Sequence, residues 1–277
     1  MPAGDLPREQ AGQLLPIAVL MEKLGFHKAA DKLLADYAER LPEGALARAE
    51  FLGRRRRLDE ALDLLETAWS QVPVARLLQS AVAVIRSSGG PPDAAVSTRL
   101  EQWFARARRE DPGSVVIELL HSELLEVQGR SSEIEGAYRK ILDRDDLSGP
   151  QMAIVANNLA FHLARPETAD EAKQLIDKAI AEVGPHPDLL DTRGVVLLAA
   201  GDTNAALASL EEAALDPTPA KLLHLAAAQV ATKDLTAARQ TLERARRLGL
   251  LPDQLSAADK ARYDAVEATL PTSPGGF

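Results

Sequence analysis

Five histidines and a block of four arginines are the residues of this 277-residue chain best suited to chemistry. His27, His121, His162, His186 and His224 lie far apart in the sequence. No carboxylate–histidine pairing recurs among them as a metal or acid–base site requires, so they read as packing and surface residues. The chain has no cysteine, which excludes a disulfide framework, a Cys-ligated metal and a thiol nucleophile. It also lacks a phosphate-binding glycine loop with lysine, a dinucleotide-binding glycine pattern and His-Glu-x-x-His. The Gly-x-Ser-x-Gly nucleophile turn is missing as well. The expectation is a protein that is not an enzyme, with no catalytic residue, no metal and no cofactor. The run Arg54-Arg55-Arg56-Arg57 is either an anion contact or a solvated turn screened by Asp59 and Glu60; it is read as the turn.

The chain is 46 % apolar and 26 % charged, enough for a core and ordinary for a folded protein. Aromatics are only 4 %, so that core must be built from Leu, Ala, Val and Ile. The net charge of −9 is uneven. Residues 1–111 carry 16 basic and 16 acidic side chains, and residues 112–277 carry 16 and 25. Such a chain is a poor polyanion binder, and no nucleic-acid partner is expected. No apolar run approaches a membrane span, so no membrane insertion is expected. Met1–Gln10 contains Asp5, Arg8 and Glu9 but no apolar stretch. With no signal peptide visible, the reading for location is cytoplasmic.

The elements repeat. At a period of roughly 34 residues a helix pair returns, and its second helix carries a small residue, a large one four on and another three further. The copies are Ala30, Leu34, Tyr37; Ala61, Leu65, Ala68; Leu100, Phe104, Ala107; Ile134, Tyr138, Ile141; Ala172, Ile176, Ala179; Ala206, Leu210, Ala213; and Ala238, Leu242, Ala245. Spacings of four and three put each trio on one helical face. Gly25, Gly129 and Gly201 each stand five residues before a trio, where a glycine can take the left-handed conformation in a short turn. Pro42, Pro73, Pro112, Pro185 and Pro217 end second helices. Small residues on the first helices, Ala18, Ala49, Ala160, Gly194 and Ala226, allow close approach. "SAADKARYDAVEATL" reads as one more amphipathic helix with Ser256 as its N-cap. Pro16 is expected to delay the first helix, and "PTSPGGF" reads as a frayed tail.

These residues resemble the tetratricopeptide repeat (TPR) family, over roughly residues 12–248. The resemblance implies an all-α fold: an α-solenoid of about seven antiparallel helix pairs, wound as a right-handed superhelix with a C-terminal capping helix. The expected boundaries are an N-terminal tail over 1–11 and the array over 12–248. Its copies fall at about 12–43, 44–74, 75–113, 114–147, 148–185, 186–218 and 219–248. The capping helix and tail occupy 249–277. Arg48, His121 and Arg193 depart from the family pattern by standing where it usually has Leu.

Family phasing also implies a concave groove. Its later part is lined by Ile154, Phe161, Val195, Leu198, Leu223 and Val230, with Arg165 and Asp191 adding charge at the edges and Asn157 pointing in. Either these residues pack against neighbouring helices, or they form an exposed apolar strip, which implies a partner. Family members that grip a chaperone's C-terminal carboxylate use Lys and Asn four apart on first helices. The pairs here are Leu46/Glu50, Leu119/Glu123, Asn157/Phe161 and Leu223/Ala227; none contains Lys, so that activity is not implied. The leading functional reading is a protein–protein interaction scaffold that takes a peptide or helix, or a segment of its own polypeptide, in the groove. The alternative is an accessory regulatory or targeting region of a larger enzyme or signalling protein. Self-association through an end helix is a further option.

Overall fold

The structure is a computed structural model and describes residues 8–270. Among them are fifteen α-helices and no strand. The first seven are α1 (Leu14–Lys23), α2 (His27–Arg40), α3 (Pro42–Arg54), α4 (Leu58–Ala68), α5 (Val74–Ser87), α6 (Ala94–Glu110) and α7 (Val115–Val127). The others are α8 (Ser131–Leu142), α9 (Gly149–His162), α10 (Ala169–Val183), α11 (Pro187–Ala199), α12 (Thr203–Ala213), α13 (Pro219–Ala231), α14 (Leu235–Arg247) and α15 (Ala257–Thr269). Within the units the helices pair as in an all-α solenoid, α1 with α2, α3 with α4, α5 with α6, α9 with α10, α11 with α12 and α13 with α14. The chain divides into two compact units, Met1–Glu133 and Ile134–Phe277. "PTSPGGF" lies outside the described residues.

The trios on the second helices are the packing code. All twenty-one of their residues are buried, from Ala30, Leu34 and Tyr37 on α2 to Ala238, Leu242 and Ala245 on α14. In the first unit Ala30, Leu34, Ala61, Leu65, Leu100, Phe104 and Ala107 join Phe51, Leu62, Leu77, Ile85 and Trp103 in one core. In the second, Leu210, Leu242 and Ala245 pack with Leu222, Leu223, Ala226 and Leu250. The small first-helix residues set the closeness of approach. A Cβ built on Gly194 of α11 would stand 2.3 Å from Cγ of Leu210 on α12, a side chain that is itself completely buried.

Gly25, Gly129 and Gly201 take φ of 81°, 71° and 82° in the turns between paired helices. At the same phase Arg56 and Lys233 take φ of 59° and 69°, a conformation that costs a side-chain-bearing residue about 1–2 kcal/mol.

The three departures from leucine share one compensation. Arg48 on α3 bonds Asp31 on α2 at 3.0 Å, His121 on α7 bonds Glu101 on α6 at 2.9 Å, and Arg193 on α11 pairs with Asp177 on α10 at 3.4 Å. Each polar residue at this phase meets a carboxylate from the preceding second helix. Two residues of the arginine block are likewise taken up in pairs. Arg54 holds Glu22 at 2.8 Å, and Arg57 bridges Asp31 at 2.6 Å and Glu60 at 2.7 Å.

The N-terminus differs from expectation. Arg8–Gln13 forms a 3-10 helix rather than part of a tail, because Ala11 is completely buried with Leu14 and Tyr37. Pro16 does not delay α1, which begins at Leu14; in the first turn its missing N–H is not needed by the helix. Pro42 opens α3 at its first position as well as ending α2.

Two substitutions test this packing by chemical denaturation. Gly194→Ala should lower stability by about 1–3 kcal/mol through overpacking against Leu210. Lys233→Gly should raise it by about 0.5–1 kcal/mol, since relief of left-handed strain exceeds the entropic cost of glycine.

Candidate functional site

The polar centre of the second unit is built from four helices. His224, on α13, is buried. Its Nδ1 lies 2.9 Å from both carboxylate oxygens of Asp191 on α11. Its Nε2 lies 2.9 Å from Oδ1 of Asp259 on α15. Arg262, one turn further along α15, donates from Nη1 to the same Oδ1 at 2.6 Å. The Arg262 guanidinium carbon stands 5.4 Å from the centroid of the Phe161 ring on α9, and that ring is 6.0 Å from the imidazole.

Local sequence explains how these groups arrive. Ser256 caps α15 and accepts from the Asp259 N–H at 3.1 Å, which fixes Asp259 at the third helical position. Three residues on, Arg262 shares its face.

The electrostatics follow from this enclosure. Burial alone would drive the imidazole neutral. The flanking charges of Asp191 and Asp259, with the hydrogen bonds they accept, outweigh it and hold His224 up to about 9. Burial also works against the Asp259 carboxylate, but His224 and then Arg262 hold it down to about 2. An imidazolium donates from both ring nitrogens and so satisfies both carboxylates at once. Two anions and two cations therefore balance across α11, α13 and α15. Both ring nitrogens are taken up by carboxylates, so the arrangement orients charge and joins helices.

The residues expected to line the groove divide into groups. Ile154 on α9 is 50 % exposed. Arg165 is exposed and donates to Glu135 at 2.8 Å and to the His162 carbonyl at 2.8 Å. Asn157 donates to Asn158 at 3.3 Å, and its own Oδ1 is buried without a hydrogen-bond partner among the described residues. Asn158 in turn donates to the Tyr138 hydroxyl at 3.3 Å. Phe161 and Asp191 are drawn into the polar centre, while Leu198 and Val230 are half-buried against the α13 core. Val195 and Leu223 are 1 % and 0 % exposed and line no surface. α11 is enclosed by α9, α10, α12 and α13, and α13 by α11, α12, α14 and α15.

The sequence reading missed His224, Asp259 and Arg262 as a group. His224 and Asp191 are 33 residues apart, and His224 and Asp259 are 35 apart. Their one-repeat spacing is the only signal that could have paired them.

Among the described residues no three His, Asp or Glu side chains are arranged to hold a metal ion. No described helix is long and apolar enough to cross a membrane.

No protein-family model matches this sequence, and no curated protein matches it. Solved structures do. A tetratricopeptide repeat protein from Parabacteroides merdae ATCC 43184 superposes with a TM-score of 0.60 at 14 % identity, over 94 % of this chain and 99 % of that one. The Cut9–Hcn1 hetero-tetramer of the APC/C superposes with a TM-score of 0.55 at 14 % identity, over 86 % of this chain and 46 % of that one.

The polar centre predicts a pH dependence. His224 is held above its ordinary value of 6.5, so between 6.5 and about 9 the folded chain keeps a proton that the unfolded chain releases. The contribution is present in full below 6.5 and is lost as pH rises through about 9, at no more than about 1.4 kcal/mol per pH unit. Urea midpoints measured across this window should fall for the native sequence, and His224→Gln should flatten the slope. Taken with the helix pairing described above, the structural likeness makes this chain an all-α solenoid of the tetratricopeptide repeat fold.

Proposed function

We propose that the chain is a protein–protein interaction scaffold that receives a peptide or helix on the first-helix face of its second unit. The observation that carries this reading is an exposed apolar side chain on α9. Ile154 is half exposed, one turn from an asparagine whose buried Oδ1 has no partner among the described residues. An exposed apolar side chain on a first helix is the kind of anchor that a peptide or helix can cover. The Cut9–Hcn1 structure, a hetero-tetramer, is an instance of this fold in an assembly with another chain. The net acidity of residues 112–277 supports a partner that is not itself strongly acidic.

Affinity capture with the full chain tests the reading. Ile154→Glu changes an exposed side chain and should alter stability by less than about 0.5 kcal/mol. Val116, 47 % exposed on α7 in the other unit, supplies the control Val116→Glu. The expected result is a set of partners captured by the native chain and by Val116→Glu and lost from Ile154→Glu. Identical capture by all three, with circular dichroism unchanged, would overturn the assignment.

A further inference from the structure

The helix α15 does not simply extend the array. Within this unit α11 packs against the second helix before it, α10, and α13 against α12. α15 packs chiefly on α13, and Arg262 reaches back to Phe161 on α9. Its hold is thin. Of its thirteen residues only Asp259 and Val266 are buried, whereas α13 buries seven of thirteen. Val266 joins the apolar cluster of Leu223, Leu225 and Leu250. Towards α14 the contacts are polar and exposed: Arg246 with Glu267 at 2.7 Å and with the Tyr263 hydroxyl at 2.8 Å. Tyr263, and Leu270 just beyond the helix, add partly buried contacts to the same cluster; an element with so few fully buried side chains belongs to the low-stability end of a fold.

The surface beneath α15 is correspondingly specific. His224, with Asp191 behind it, offers a positive N–H donor to a carboxylate. The Phe161 ring offers its face to a guanidinium. The α13 cluster offers an apolar seat. These three features receive side chains at positions i, i+3 and i+7 of one helix, which is how a helix docks in a groove.

We propose that α15 is the resident occupant of this face, and that the partner the face fits is an amphipathic helix presenting an acidic residue, an arginine three on and a β-branched aliphatic four beyond, in exchange with α15. This rests on the scaffold reading of the same face and names the chemistry of its ligand. The tether gives α15 an effective concentration of order millimolar, so a weak partner binds only after the clasp is loosened, and a partner with the same three groups competes directly.

The experiment uses the full chain and the double variant Asp259→Asn/Arg262→Ala, with a fluorescent synthetic peptide of residues 255–270 and a second peptide carrying both changes. The native peptide should bind the variant chain at least about tenfold more tightly than the native chain, the gain expected when an occupant present nine-tenths of the time is removed. The altered peptide should bind neither. No gain, or equal binding by the altered peptide, overturns the proposal. Hydrogen exchange on the variant supplies the second measurement. Protection should be lost over Ala257–Thr269 and kept over Pro219–Ala231. Joint loss would make α15 an integral part of the unit and would also overturn the proposal. Capture by the Ile154→Glu chain is a separate readout, so failure of the exchange and failure of the scaffold reading are told apart.

Discussion

Close approach between helices is the constraint on which everything else in this chain depends. Each second helix presents a trio of residues to its neighbours, most often a large side chain between two small ones. Ala172, Ile176 and Ala179, or Ala206, Leu210 and Ala213, are completely buried. The large residue can be buried only if the facing helix yields space, as Gly194 does for Leu210. With 4 % aromatic residues, the chain builds its cores from many such small interlocks rather than from a few large side chains. Because each contact joins neighbouring elements, stability is distributed along the array.

Several polar residues in this framework are matched by a charged partner. Arg48, His121 and Arg193 occupy a phase that suits leucine, and each meets a carboxylate of the preceding second helix. His224 lies deeper and receives two carboxylates. Buried ionic groups of this kind add little net stability compared with apolar packing, but removing one partner leaves an uncompensated charge. At the C-terminal end of the second unit the consequence is directional. The balance is complete only when α15 is in place, so the polar centre defines where that helix sits more than how tightly it is held.

Much of the fold is legible in the residues. The trios identify helix faces because burial follows a period near 3.6, and Gly25, Gly129 and Gly201 mark turns because few other residues accept positive φ readily. Arg56 and Lys233 hide two equivalent turns, since their identity gives no sign of the conformation that tertiary packing imposes. The candidate site is legible only in part. Phasing assigns Ile154, Phe161 and Asp191 to one groove; in the structure Ile154 is half exposed, while Phe161 and Asp191 lie at the polar centre around His224. The same phasing assigns Val195 and Leu223 to that groove, and the structure buries them. Phasing assigns a side of a helix, but not how many neighbours enclose it. Asp259 reads as an ordinary residue of a first helical turn after Ser256. Its role depends on a contact 35 residues away, which no local pattern encodes.

The polar centre depends on a charged imidazole clasped between α11 and α15. The most direct measurement is the nitrogen NMR spectrum of His224 in the intact chain at pH 7.5. Both ring nitrogens carrying protons, with titration near 9, is the result this account predicts. A neutral ring protonated on one nitrogen, titrating near the ordinary histidine value, would contradict it.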